Sequence, residues 1–469
     1  MCLSTPFLRY CFFWTWFIFV TTVYTLSFFT TFHVSVYAML FTILLIGQLV
    51  LSFKNRLFME KTLDNNIDIT SVSVDLVVVG YRENKHYWVK CLESVCAQTF
   101  FENMNVVVSI DGNDPDDQYM GETARCILPR SAAIFMHAHG GKRSAIAGAY
   151  RYIANSNSSS QYIILIDSDT ILQNDAVEAL VRCIHTDSKI GCATGNIRVA
   201  DTGSFLRKVI NARYSYAFNI ERSCLSCIGI MTCCSGPLSI YRKSVVTQDF
   251  VNRFATQTIA GYKVEPGDDR HQTLLVLAGG HKSKMTPYSI CYTDCPDSFD
   301  RFLCQQLRWM RSFYREQIWQ YLCIPHQPMT LTIVMVYELL FPLFILVWII
   351  CLLFFTEPDV LLFLKSAAIT FGVAVLRTVL VVAHTKDFRC MYNVFYVFIY
   401  LHFILPVKMY ALFTVLNNGW VTSDRMWIRR NLSVDALCMY CVVLVFNSVA
   451  FWGVFRYFAT VYDMVPTVF

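Results

Sequence analysis

Long unbroken apolar runs stand at both ends of the chain, and between them apolar positions recur with the periods of strands and helices. Residues 7–29, 32–53, 329–355, 360–383, 392–416 and 434–458 are each long and apolar enough to cross roughly 30 Å of hydrocarbon. Residues 54–328 read as globular, a length sufficient for one large domain with its own core. Within it, β-rich apolar runs alternate with amphipathic helical stretches, the pattern of an α/β domain with a mostly parallel sheet. The periodicity predicts strands over 74–80, 104–110 and 162–166. It predicts helices over 85–98, with Trp88, Leu92 and Val95 on one face, and over 142–154. The strands run into Gly80-Tyr81-Arg82-Glu83, Asp111-Gly112-Asn113-Asp114 and Asp167-Ser168-Asp169. Ligands of open α/β sheets bind beyond the carboxyl ends of the strands, so these three polar groups mark one cleft.

Composition adds the compartment. A chain of 469 residues that is 55% hydrophobic, 15% aromatic and only 16% charged is embedded in a membrane. The first apolar run is too long for a signal-peptide core and a second follows at once, which predicts an uncleaved anchor hairpin over 1–56. Lys54, Arg56 and Lys61 follow the second run while 356–359 is acidic, so the large domain is expected in the cytoplasm of a multi-pass protein. Of the 19 cysteines, Cys91, Cys96, Cys126, Cys183, Cys192, Cys224, Cys227, Cys233 and Cys234 fall in that domain, where thiols stay reduced and pack the core. Cys224-Leu-Ser-Cys227 has no second pair at zinc spacing. A net charge of +5, with no basic run interleaved with aromatics, excludes a nucleic-acid partner and suits anionic substrates.

The candidate chemistry begins with Asp167-Ser168-Asp169. At a strand end, residues i and i+2 point the same way, so Asp167 and Asp169 can share Mg²⁺ or Mn²⁺ bridging a nucleotide diphosphate. A solvated loop carries the same pattern, but the buried strand before it favours the cation. Gly141-Lys142-Arg143 opens a helix and offers backbone N–H groups and two cations to phosphate, or is simply a solvated helix start. Asp111 either receives a base or ribose or is a turn aspartate before glycine. Asp268-Asp269 after Gly267 is a helix-capping pair or contains a general base. Gln305, Arg308 and Trp309 can hold an acceptor sugar and diphosphate on a helix that Phe313, Tyr314 and Trp319 anchor at the membrane surface.

Taken in order, these motifs, with Ser235-Gly236-Pro237-Leu238 and Asn418-Gly419-Trp420, resemble the processive family 2 glycosyltransferases. Asp111 to Asp117, Asn219 to Ser223 and Gly267 to His271 are most similar to the class I hyaluronan synthases. The resemblance implies a cytosolic GT-A domain fused to an α-helical transmembrane domain in the plasma membrane. That enzyme would use UDP-GlcNAc and UDP-GlcA with Mg²⁺ or Mn²⁺, invert the anomeric centre and extrude the growing polysaccharide through its own channel. By the same resemblance, Tyr81, Arg82, Glu83, Asp111, Lys142, Arg143 and Asp167 contact the UDP-sugar, and Asp167 and Asp169 hold metal. Asp269 is the base, Gln305, Arg308 and Trp309 form an acceptor collar, and Trp420, Thr422 and Arg425 belong to a gating loop. Chitin-type synthases, which use UDP-GlcNAc alone, share the Asp-x-Asp and Gln-x-x-Arg-Trp motifs and are the alternative. A transporter with a nucleotide-binding domain is the remote one.

The expected organisation is a transmembrane hairpin over 1–56, the glycosyltransferase domain over 57–294, amphipathic interfacial helices over 295–328, and a channel region over 329–469. Residues 392–416 are expected to lie in the interface and re-enter from the cytoplasm. A crossing there would place Arg425, Arg429 and Arg430 outside, and Pro406 and Lys408 interrupt the run. The gating loop, 417–433, departs from the family at Val421 and Asp424, where glycines are usual. Val264 stands where a cysteine is usual, and the family has a further helix after the 434–458 span. Glu338 and Arg377 lie inside apolar spans, either along a polysaccharide path or as an ion pair.

Overall fold

The computed structural model describes residues 6–28, 33–64, 67–357, 359–417 and 434–464. The chain forms two compact units, one of residues 48–297 with 318–327 and the other of 1–47, 298–317 and 328–469. Helices α1 (Pro6–Phe28) and α2 (His33–Asp64) come first, followed by β1 (Val74–Gly80), α3 (Lys85–Cys96), β2 (Met104–Asp111), α4 (Pro115–Ile127) and β3 (Ala133–His137). Next are α5 (Lys142–Asn155), β4 (Tyr162–Asp167), β5 (Ile171–Leu172), α6 (Ala176–His185), β6 (Ile190–Val199), α7 (Phe205–Tyr216) and α8 (Ser223–Ile228). Strand β7 (Ser239–Arg242), α9 (Gln248–Ala255), the hairpin β8 (Thr258–Ile259) and β9 (Tyr262–Lys263), α10 (Asp268–Ala278) and β10 (Lys282–Thr293) complete the first unit's main elements.

Eight strands form one sheet in the order β3-β2-β1-β4-β7-β6-β10-β5. Strands β3, β2, β1 and β4 run parallel, as do β6 and β10, while β7 lies antiparallel between β4 and β6. Every residue of β1 is buried, as expected of a strand covered on both faces. The register places the cleft. Gly80 pairs with Ile110, Val79 with Asp167, and Asp111 with His137, so the polar ends of β1, β2, β3 and β4 finish along one edge.

The three expected strands form within a residue of their predicted ends. Helix α3 buries Trp88, Leu92 and Val95 as its spacing requires, with Asn84 capping it by accepting from the His86 N–H. It stops at Cys96, two residues early, because the Gln98 side chain turns back to donate to the Ser94 and Gln173 carbonyls. The half of the sheet built by β5, β6, β7 and β10 has no counterpart in the sequence expectations. Within this unit, Asn55 of α2 donates to Ser223 Oγ (3.0 Å) and the Met285 carbonyl (3.1 Å) and accepts from Ser226 (2.9 Å). An amide buried to 1% exposure is thereby satisfied.

The second unit contains most of α11 (Phe299–Cys323), then α12 (Met329–Phe354), α13 (Val360–Thr385), α14 (Asn393–Ile399), α15 (Leu405–Phe413) and α16 (Val434–Met464). Among the described residues four helical segments are long and apolar enough to cross a membrane: Met329–Phe354, Val360–Thr385, Phe388–Phe413 and Val434–Ala459. Phe388–Phe413 is continuous through a π-helical turn at Tyr400–Ile404 that precedes Pro406. Proline has no N–H for the carbonyl four residues back, His402. Asn447 of α16 supplies the donor instead, at 2.8 Å, and its amide oxygen pairs with His402 Nδ1 at 2.7 Å. Arg456 does the same service at the end of α12, donating to the carbonyls of Phe354 and Thr356.

Candidate active site

The sheet edge delivers Asp167, Asp111 and the residues after Gly80 to one place, and helix α5 brings Lys142 to meet them. Gly141 enters that helix at φ 89°, a left-handed conformation that side chains disfavour. The Lys142 Nζ stands 2.5 Å from Asp167 Oδ1 and 3.4 Å from Asp268 Oδ2. One ammonium thus ties the Asp-x-Asp strand end to the first turn of α10. Burial opposes charge on Lys142, but Asp167 and then Asp268 outweigh it and raise its pKa, so the ammonium is retained. Burial pushes the Asp167 carboxyl upward, Lys142 pulls it back, and Asp268 and Asp269 add to the upward balance. Gly236 closes over the pair: a Cβ there would meet Asp167 Oδ2 at 3.0 Å and Lys142 Nζ at 3.2 Å. The glycine keeps open the room above the carboxylate.

Helix α10 begins after Gly267, whose φ of 98° again needs glycine. Asp269 is fixed through both carboxylate oxygens. The Arg270 N–H donates to Oδ1 at 2.8 Å, and the Cys233 thiol donates to Oδ2 at 3.3 Å. Asp268 and Asp269 both sit in the first turn, where the helix dipole favours them, while the N-cap is Gly267 itself.

Glu83 links strand β1 to the Asp-x-Asp turn by accepting from Ser168 Oγ at 2.9 Å. Arg82 occupies a left-handed backbone position at φ 43° and pairs with Asp114 at 2.6 Å, with its guanidinium against Tyr81. Asp111 is buried, and its carboxylate accepts from the N–H groups of Gly140 (2.8 Å) and Gly141 (3.0 Å), which shapes the turn into α5. Its expected contact with base or ribose therefore competes with bonds it already makes.

Arg143, expected to contact the UDP-sugar, is 2% exposed, donates to the Phe254 carbonyl of α9 at 3.0 Å and lies over the Phe254 ring. Successive helical residues are about 100° apart, and Lys142 and Arg143 accordingly have different partners, Asp167 for one and Phe254 for the other.

His139 had no assigned place in the site, and Cys233 was expected only to pack the core. His139 stacks on Tyr81 with ring centroids 4.5 Å apart and its Nδ1 is 3.0 Å from Asp111 Oδ2. Cys233 reaches Asp269, and Arg222 approaches from behind, bonding to Ser235 Oγ and lying 3.9 Å from the Cys233 sulfur. A signal for His139 was its place directly before the glycine pair.

In the other unit, Gln305, Arg308 and Trp309 are half-buried and fall at helical spacing on one face of α11. Trp420, Thr422 and Arg425 lie outside the described residues. The cation fit is one of donor chemistry: Asp167 at the end of β4, under the room that Gly236 leaves, and Asp169 in the turn that follows would offer the hard carboxylate oxygens that Mg²⁺ and Mn²⁺ require.

The glycosyltransferase-like family 2 model matches residues 72–312, the span holding every site residue described above. Hyaluronan synthase 2 of Heterocephalus glaber is 30% identical over 424 residues, covering 82% of this chain and 75% of the relative. Hyaluronan synthase 2 of Homo sapiens is 29% identical with the same coverage, and hyaluronan synthase 3 of Mus musculus is 30% identical over 76% of this chain and 70% of its own. A solved mannosyltransferase of Pyrobaculum calidifontis, in complex with GDP-Man and Mn²⁺, aligns at 13% identity and a TM-score of 0.45, over 76% of this chain and 98% of its own. The chain is an integral membrane glycosyltransferase of family 2 and belongs to the hyaluronan synthases.

Proposed function

We propose that this protein polymerises GlcNAc and GlcA from UDP-GlcNAc and UDP-GlcA into hyaluronan, by an inverting and processive reaction. The observation that carries the reading is Lys142 set between Asp167 and Asp268, which joins a nucleotide-diphosphate site to a base-bearing helix within one cleft. Tyr81 and His139 offer ring faces to the nucleoside base, and Arg82 and Lys142 offer charge to the diphosphate. Held by Asp167 and Asp169, Mg²⁺ or Mn²⁺ would neutralise the departing UDP. Asp269 takes the proton from the acceptor hydroxyl as that oxygen attacks the anomeric carbon; the carbon–oxygen bond to UDP breaks on the opposite face, and the centre inverts. Gln305, Arg308 and Trp309 hold the acceptor end of the polymer, with Trp309 against a sugar face. Trp420, Thr422 and Arg425 act on bound UDP as a gating loop. The catalytic unit faces the cytoplasm at the plasma membrane, and the product leaves through the helices of the second unit.

Membranes carrying the full chain, supplied with each UDP-sugar alone and with both, test this directly. Hyaluronidase-sensitive polymer is expected only with both sugars and a divalent cation, and is expected to vanish with chelator and return with Mn²⁺ or Mg²⁺. Chitinase-sensitive product from UDP-GlcNAc alone would overturn the reading in favour of a chitin-type synthase.

A further inference from the structure

We infer that Cys233 is a positioning residue for the reaction, holding the carboxylate of Asp269 in the orientation that receives the acceptor proton. The inference rests on Asp269 being the base. The thiol is 6% exposed and its sulfur is 3.3 Å from Asp269 Oδ2, while the other oxygen is taken by the Arg270 N–H. A carboxylate at the start of a helix is free to rotate about its side-chain bonds, and a donor on each oxygen selects one rotamer. Each oxygen keeps a further lone pair, so the bond orients Oδ2 without closing it to a substrate hydroxyl.

The geometry around Cys233 is built rather than incidental. The Cys234 N–H donates to Thr273 Oγ1 at 2.8 Å, and Thr273 Oγ1 donates to the Asp269 carbonyl, also at 2.8 Å. The segment 233–234 is therefore fastened to α10 at two points, the Thr273 hydroxyl and the Asp269 carboxylate. From the other side Arg222 Nη2 lies 3.9 Å from the sulfur and its Nη1 holds Ser235 Oγ. A guanidinium behind the sulfur draws electron density from it and makes its S–H a better donor towards the aspartate. Burial and then the neighbouring Asp269 keep this thiol protonated, as a donor must be.

A thiol is a weak donor, so its contribution is small and specific. Replacing Cys233 with Ala removes the donor, and with Val removes it while keeping side-chain bulk; Ser restores a donor in a smaller residue. The full chain in membranes, assayed with both UDP-sugars, is expected to lose about three- to tenfold in kcat as Cys233→Ala and as Cys233→Val. KM for each UDP-sugar should stay within about twofold of wild type, because the carboxylate is oriented for chemistry and not for nucleotide binding. Cys233→Ser is expected to recover most of the lost kcat. A Cys233→Val variant with wild-type kcat, or a Cys233→Ser variant as slow as Cys233→Ala, would overturn the inference, since packing alone then accounts for the residue. Asp269→Asn, measured alongside, separates the two layers. If it keeps wild-type kcat the base assignment falls. If it is inactive while Cys233→Ala is unimpaired, only the positioning role falls.

Discussion

Arg311 and Asp435 meet as a bidentate pair, Nη1 and Nη2 each 2.7 Å from a carboxylate oxygen. Thr414 accepts from the same guanidinium at 3.0 and 2.7 Å, and Tyr410 donates to Asp435 at 2.8 Å. The arginine is only 3% exposed through its side chain, so it is held by partners and not by water. It sits two residues past Trp309 on α11, and its partners lie on either side of the segment that contains the expected gating loop.

Removing one partner leaves a buried charge uncompensated, so Arg311→Ala or Asp435→Ala should destabilise the protein by about 3 kcal/mol or more. The double replacement Arg311→Met with Asp435→Leu should cost less than either single change, because it strands no charge. Thermal unfolding of detergent-solubilised chain reads both. Equal or larger loss in the double variant would refute the account.

Gly236→Ala places a methyl group against Asp167 and Lys142 while leaving the sheet untouched. Polymer synthesis is expected to drop by about tenfold or more, since small displacements at a reacting centre are costly. The melting temperature should hardly move. A variant of normal activity would mean that Asp167 and Lys142 yield readily and that the room above them is not needed.

The ring of His139 against Tyr81, if it completes the nucleoside surface, is worth about three- to tenfold in UDP affinity. Calorimetric titration of His139→Ala with UDP in the presence of Mn²⁺ measures this. His139→Phe keeps the ring and should bind more tightly than the alanine variant. Indistinguishable affinities would remove His139 from the site.

Burial raises the Cys233 thiol from an ordinary value of 9.0 to about 12, with Asp269 adding to the shift. The unfolded chain therefore releases this proton near pH 9 and the folded chain does not until about 12, so the folded state is the one that binds more protons in between. Stability from this group is complete below pH 9 and falls as pH rises through that window. Iodoacetamide at pH 8.5 should label Cys126, which is exposed and not packed in the core as expected, and spare Cys233 until denaturant is added. Rapid native labelling of Cys233, mapped by mass spectrometry, would contradict both its burial and its protonation.

The parallel strands were legible because a strand buried on both faces is mostly apolar, and β1 is so apart from Asp75 and β4 apart from its last residue, Asp167. The cleft was legible for the same reason: polar residues appear where those strands leave the core. What the sequence hid are relations set by side-chain direction or by distance along the chain. Lys142 and Arg143 look alike in a list of residues and point to different surroundings once the helix turns between them. Asp111 is spent on backbone N–H groups 29 and 30 residues later. Cys233 meets Asp269 across 36 residues and Arg311 meets Asp435 across 124, separations at which no local periodicity carries information.

The bond from Asn447 to the His402 carbonyl works as an index mark between two helices. A helix of unbroken backbone bonds can slide or rotate past a neighbour in lipid by exchanging one apolar contact for another of equal worth. A helix that has handed one of its acceptors to a neighbour cannot, because each step away strands a carbonyl in hydrocarbon at several kcal/mol. Pro406 and Asn447 together therefore fix both the depth and the rotation of the Phe388–Phe413 segment against α16 at a single level.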